Sequence, residues 1–322
     1  MIRRRLGRSE LQVGPLAFGG NVFGWTADAA TSFRLLDAFV DAGLNLVDTA
    51  DVYMGHFPGN AFGQSERIIG DWLAQGGGRR GKVVIATKIG VPMSGPDSGG
   101  LSKAYIKQGI EASLQRLRTD HVDLYQSHID DEKTPMEETL GAYAELIAEG
   151  KVRAIGASNF TPERLDQALR LSEAGGLPRY ETLQPWYNLY DRDKFEGPLA
   201  ALCAREEVGV ISYFSLASGF LSGKYRTEKD LEGRARAYRA KDMMNPRGFR
   251  ILAALDAVGA ELGATPAQVS LAWLMARGVA APIASATSLP QLEELVGATR
   301  LELDGEALRR LDEASAPEPA QA

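Results

Sequence analysis

The chain of 322 residues holds one cysteine and three histidines. A single thiol excludes an internal disulfide framework and a cysteine-rich zinc centre. The imidazoles of His56, His121 and His128 leave little from which to build a histidine-based catalytic metal site. Positive charge is also short: 36 Lys and Arg stand against 42 Asp and Glu, a net charge of −6. That balance argues against a nucleic-acid partner. No run of 18 apolar residues occurs, so no membrane partner is expected. Residues 1–8 are basic, but Ser9, Glu10 and Gln12 deny them the apolar core of a secretory leader, and a cytoplasmic location is expected.

What is present is the material of a large core. Hydrophobic residues make up 44% and charged residues 24%, as in soluble globular chains. The 35 glycines follow no triplet period, so they mark turns rather than collagen.

Short apolar runs recur along the chain: 16–19, 44–49, 83–88, 122–127, 152–157, 181–184, 209–213 and 281–284. They alternate little between apolar and polar, as expected for parallel strands buried on both faces. Helical patterns separate them. The segment 102–118 carries Ile106, Ile110, Leu114 and Leu117 on one side. Thr134-Pro135 and Thr161-Pro162 are helix starts, and Gly150 is a stop. Eight strands with intervening helices predict a single-domain (β/α)8 TIM barrel over residues 1–314, followed by a disordered tail at 315–322. The seventh and eighth runs end about 70 residues apart, against about 30–40 elsewhere. The excess includes 219–246, a polar, Arg-rich loop after strand seven, which in a barrel lies at the catalytic face.

Two features are decoys. Gly76-Gly77-Gly78-Arg79-Arg80-Gly81-Lys82 fits two phosphate-loop patterns, but it follows a helix and precedes a strand, the reverse of what those motifs need. Cys203 sits in a helical pattern between Leu202 and Ala204, as a small core residue does.

Four ionisable residues fall at or just beyond strand ends: Asp48, Tyr53, Lys88 and His128. A charge closing an apolar strand is costly unless it is paired or faces a cleft, and in a barrel these ends surround one mouth. Two readings stand on the residues alone. Each residue is an ordinary salt-bridge or core partner, or together they protonate an oxygen while a hydride reaches carbon. In the second reading a lysine ammonium lowers the phenol pKa, the carboxylate holds the lysine, and the imidazole places the substrate oxygen. No side chain supplies hydride, so a nicotinamide cofactor is implied.

The motifs Asp48-Thr49-Ala50-Asp51-Val52-Tyr53, Gly63-Gln64-Ser65-Glu66, Ala86-Thr87-Lys88, Asp123-Leu124-Tyr125-Gln126-Ser127-His128, Gly156-Ala157-Ser158-Asn159-Phe160 and Gln184-Pro185-Trp186-Tyr187-Asn188-Leu189 resemble, in order, those of the aldo-keto reductases. The resemblance runs from about Leu6 to Leu311. Gly223-Lys224-Tyr225 and the long loop resemble the branch that contains potassium-channel β subunits and bacterial relatives.

The resemblance implies a short N-terminal hairpin and a catalytic tetrad of Asp48, Tyr53, Lys88 and His128, with Tyr53 as general acid. It implies nicotinamide contacts from Ser158, Asn159, Gln184 and Tyr213. A pyrophosphate segment would run through Phe214, Ser215, Leu216, Ser218, Gly219, Leu221 and Lys224. Arg234 would reach the adenosine end. A loop after strand eight would add Ala284, Ser285, Ala286, Thr287, Gln291 and Glu294. No metal is implied.

Departures are Phe214-Ser215 where many relatives have Ser-Pro, Thr287 where a basic residue often meets the 2′-phosphate, and Leu295 where an Asn often stands. Arg234 or Arg236 would then supply that charge, so the cofactor expected is NADP, with NAD as the alternative. Trp25, Phe57, Met93 and Trp186 are candidate pocket walls, and His121 is expected at the opposite face.

The implied function is NAD(P)H-dependent, reversible reduction of aldehydes or ketones to alcohols, with a small-molecule carbonyl or alcohol as substrate. The alternative is a cofactor-binding regulatory or sensor subunit with little turnover. Monomer and homo-oligomer both stay open.

Overall fold

A computed structural model describes residues 2–55, 61–93, 98–233 and 237–317. The chain opens with an antiparallel hairpin, β1 (Arg4–Arg5) and β2 (Gln12–Val13). Eight parallel strands follow: β3 (Ala17–Gly19), β4 (Leu46–Asp48), β5 (Val84–Ile89), β6 (Val122–Ser127), β7 (Val152–Ser158), β8 (Tyr180–Gln184), β9 (Gly209–Val210) and β10 (Ile283–Ala284). Neighbours in sequence are neighbours in the sheet, and β10 returns to pair with β3. Backbone bonds from Ala280 N–H to the Val210 carbonyl and from Ile283 N–H to the Ser212 carbonyl, each 2.8 Å, close the remaining seam. The result is the (β/α)8 barrel the strand count predicts.

Helices wrap the strands: α1 (Ala29–Asp41), α2 (Gln64–Leu73), α3 (Lys103–Leu117), α4 (Met136–Ala148), α5 (Pro162–Gly175), α6 (Pro198–Arg205), α7 (Ala237–Met243), α8 (Pro246–Leu262), α9 (Pro266–Ala276), α10 (Leu289–Gly297) and α11 (Gly305–Ser315). Thr161 and Thr265 accept from the backbone N–H three residues on, and Pro162 and Pro266 follow them at the first helical position. Gly76, Gly77 and Gly78 all have positive φ and join α2 to a short 3-10 turn before β5, so no α-helix opens on them.

Two cores result. Leu46, Val84, Ala86, Leu124, Ala154 and Ile211 fill the barrel interior, sealed from below by Leu6, Leu11 and Val13 of the hairpin. Cys203 lies in the larger core between strands and helices, where burial pushes its thiol up to about 12. A Cβ on Gly7, which has φ +59, would fall 2.1 Å from the Glu181 carbonyl oxygen, so the hairpin turn needs glycine.

Much of the expected loop 219–246 is built. Residues 228–231 form a 3-10 turn, α7 follows, and α8 starts at Pro246 with Asn245 as its cap. Gln291 and Glu294 lie on a helix, α10, rather than in a loop. Arg234 and Arg236 lie outside the described residues, as do His56 and Phe57.

Candidate active site

Side chains alternate in and out along each barrel strand. Leu46 and Ala86 point inward, so Asp48 and Lys88, two residues on, also point inward at the carboxyl rim. The same parity continues Leu124 through Gln126 to His128, and Ala154 through Gly156 to Ser158. Thr182 and Gln184 share it on β8, since Leu183 between them faces the outer core. Asp48, Lys88, His128, Ser158 and Gln184 are therefore gathered by strand parity, and Tyr53 joins them from the turn after β4.

Lys88 is fully buried, and its Nζ has three polar neighbours: Asp48 Oδ2 at 2.7 Å, the Thr49 carbonyl at 2.8 Å and Tyr53 Oη at 3.1 Å. Those are all the partners an ammonium has hydrogens for. Burial pulls the Lys88 pKa down, but Asp48 and then Tyr53 outweigh it, and the net direction is up. Tyr53 departs from the direction expected. Burial raises its pKa, and the Lys88 ammonium offsets only part of that rise. The phenol therefore carries its proton at neutral pH. His128 is driven down to about 3, first by burial and then by Lys88, so its imidazole is neutral. The His128 ring lies 6.0 Å from the Tyr53 ring, centroid to centroid.

A second layer ties these groups together. Gln184 Nε2 donates to Asp48 Oδ1 at 2.8 Å and to Gln126 Oε1 at 3.3 Å. Asn159, held at φ +58, donates to the His128 carbonyl and accepts from the Tyr213 hydroxyl at 2.7 Å. Ser158 Oγ donates to the Gln184 carbonyl. Gln126 was missed by sequence reasoning. Its signal was its position two residues before His128 on the same strand face.

Tyr53 and His128 open onto a cavity of about 680 Å3. Asp48, Ser158, Asn159, Gln184, Tyr213, Phe214, Ser215, Leu216, Ser218, Gly219, Lys224, Ala284, Ser285, Thr287, Gln291 and Glu294 line it. Leu221 and Ala286 are instead fully buried in the core. Trp25 also lines it, whereas Met93 and Trp186 do not, although Trp186 stands 4.8 Å from the Phe214 ring. Gly19, which ends β3, and Asn21 just beyond it are wall residues that sequence reasoning missed, and Ser285 Oγ bonds both. His121 is at the far end, against Asp120.

The wall fits an elongated, phosphate-bearing ligand. Phe214, Ala217, Ser218 and Gly219 have positive φ, which bends the chain after β9 around the cavity. A Cβ on Gly219 would lie 2.6 Å from Lys224 Nζ, so the missing side chain seats that cation. Thr287 donates twice to Gln291 Oε1, fixing the start of α10 at the cavity's other end.

Asp51 stands behind the site. It is buried, and neither carboxyl oxygen makes a well-formed hydrogen bond. Burial, then nearby Glu66, raise its pKa well above normal, and Arg116, the Val52 N–H and Lys88 oppose this. Glu66 is already held by Arg116 and Thr87. An unfolded aspartate ionises near pH ~4, so the folded state loses stability as pH rises from there toward the raised folded value. Asp51→Asn is therefore expected to stabilise the protein by about 1–3 kcal/mol at neutral pH. The gain should vanish near pH ~4, where the unfolded carboxyl is also protonated. Urea unfolding at both pH values checks this, and an equal effect at both would refute it.

Among the described residues no cluster could hold a metal ion, and no helix is long and apolar enough to cross a membrane. Residues 15–316 match the family described as the aldo/keto reductase family. An uncharacterised oxidoreductase, YrpG of Bacillus subtilis, is 38% identical over 96% of this chain and 94% of its own. Protein tas of Escherichia coli is 31% identical over 96% of each chain. A probable voltage-gated potassium channel subunit beta of Oryza sativa subsp. japonica is 33% identical over 90% of this chain and 89% of its own. With the barrel, the ordered motifs and the buried Asp–Lys–Tyr cluster at its mouth, the chain belongs to the aldo/keto reductase family.

Proposed function

We propose that this oxidoreductase reduces aldehydes or ketones reversibly to alcohols, with Tyr53 as proton donor to the carbonyl oxygen. The observation that carries the reading is the Lys88 ammonium, bonded to both Asp48 Oδ2 and Tyr53 Oη and open to the cavity through the phenol. A nicotinamide cofactor would supply hydride. Gln184, Asn159 and Ser158 would hold its amide, Tyr213 would stack on its ring, and Lys224 with the 215–219 wall would hold its phosphates.

The chain's own residues do the rest. Neutral His128 presents the carbonyl oxygen to Tyr53 without competing for the proton. Tyr53 Oη gives up its proton as negative charge grows on that oxygen. Lys88 Nζ, 3.1 Å away, stabilises the phenolate left behind. Asp48 keeps Lys88 charged and aimed.

A flat pH profile follows. With His128 at about 3 and Tyr53 raised, kcat/KM for carbonyl reduction should not change across about pH 5–9. An inflection in the ordinary histidine range, near ~6.5, would show that His128 titrates in catalysis and would overturn its neutral role.

The proposal includes preference for NADPH over NADH, with Arg234 or Arg236 meeting the 2′-phosphate. Titrating both cofactors by protein fluorescence tests it: each Arg→Gln variant is compared with wild type, and equal binding of NADPH and NADH would remove the preference. The relative named as a channel β subunit favours a second reading, a cofactor-binding regulatory subunit. Turnover separates the two.

A further inference from the structure

Arg239, on α7, is a cation that the mechanism leaves unused. Its guanidinium carbon lies 4.5 Å from the centroid of the Phe214 ring, 5.7 Å from Trp186 and 5.6 Å from Tyr238. Its Nε donates to the Tyr238 hydroxyl at 3.0 Å, and among the described residues no carboxylate pairs with it. The nearby Asp191 is engaged elsewhere, accepting from Trp186 Nε1 at 2.8 Å and from Asn188 Nδ2 at 2.9 Å.

The cradle is rigid. Asp191 pins the Trp186 indole, Phe214 is held at φ +55, and Asn159 holds the Tyr213 hydroxyl. Tyr213 and Phe214 line the cavity that holds Tyr53, so the cation is packed against one of the cavity's aromatic walls. Its charge reaches inward: it pulls the Tyr213 phenol down against the burial that raises it. Tyr238 takes the Nε–H, and among the described residues nothing accepts from the terminal-nitrogen edge of the guanidinium. That planar edge matches two oxygens of a carboxylate or phosphate.

We propose that Arg239 recognises an anionic group on the substrate, so that the carbonyl compounds this chain prefers carry a carboxylate or a phosphate. The inference rests on the reductase reading and names its substrate class. Two of its rings, Phe214 and Trp186, pack on Tyr213, the ring proposed to meet the nicotinamide, and this assigns the cation to the substrate rather than to the cofactor's phosphates.

The test compares matched pairs: 4-carboxybenzaldehyde with its methyl ester, and glyceraldehyde 3-phosphate with glyceraldehyde. In wild type the anionic member should win in kcat/KM by roughly ten- to a hundredfold, mainly through KM. Added salt should shrink that ratio. The pair with the larger ratio distinguishes carboxylate from phosphate. Arg239→Gln should collapse the ratio and Arg239→Lys should keep part of it. Because a ratio is read, a general loss of activity cancels.

No preference in wild type, or an unchanged ratio in Arg239→Gln, overturns the inference and leaves the reductase reading intact. A ratio unchanged while NADPH binding weakens overturns it too, by assigning the cation to the cofactor. If nothing is turned over, calorimetric titration of 4-(hydroxymethyl)benzoate and its methyl ester in the presence of NADP decides separately. Binding of the acid alone, lost in Arg239→Gln, retains the anion site after the reductase reading has failed; equal binding or none removes the site.

Discussion

Tyr53→Phe should lower kcat by about 10²–10⁴-fold, the usual contribution of a positioned general acid. The variant removes one oxygen and the proton it carries. Lys88 keeps two of its three partners, Asp48 Oδ2 and the Thr49 carbonyl, so its charge stays satisfied. Stability should therefore change by no more than about 1 kcal/mol, the net worth of one hydrogen bond. Cofactor affinity should stay within about twofold, because a residue acting only in the transition state leaves ground-state binding alone. Steady-state rates and cofactor titrations on the same preparation check all three. A kcat close to wild type would mean that another donor protonates the oxygen, and the tetrad would then be a structural salt bridge.

Lys88→Met should be the most destabilising of the substitutions considered, by about 3–5 kcal/mol. It leaves the Asp48 carboxylate buried without a cation, facing neutral groups that include the amides of Gln184 and Gln126. The double variant Asp48→Asn with Lys88→Met removes the orphaned charge and should recover much of that loss. Both variants should be inactive, so stability and activity part company. Denaturant midpoints of the wild type, both single variants and the double variant give the cycle. Additive losses would show that the two side chains do not support each other, and the claim that Asp48 holds Lys88 would fall.

The barrel was legible because its strands are short, apolar on both faces and separated by helices with clear starts. Strand parity then placed Asp48, Lys88 and His128 on one face, which their spacing from apolar interior positions encodes. The seam was less legible. The runs at 209–213 and 281–284 are longer than the two-residue strands β9 and β10, because backbone bonds from Ala280 and Ile283 replace regular pairing there. Helix α7 was missed because, among its seven residues, only Ala240 and Met243 are buried, too few to show a period. Helix α10 was hidden by reading Gln291 and Glu294 as loop contacts, although Ser288 and Pro290 are ordinary start signals.

The site was legible where one motif holds the residues and illegible where distant segments meet. The direction of the Tyr53 pKa was misread because burial has no signature in a motif, and burial outweighs the nearby cation. The aromatic cradle of Arg239 joins residues from the segments after β8 and β9 and from α7, and nothing in any one of them announces it.

The most direct measurement mixes wild-type protein, NADPH and a reactive aromatic aldehyde, and follows cofactor oxidation together with alcohol formed. Steady consumption of NADPH matched one-to-one by alcohol is the expected result. NADPH bound tightly but left unoxidised by that aldehyde and by a broad panel of carbonyl compounds would contradict the reductase reading and leave a cofactor-binding regulatory subunit in its place.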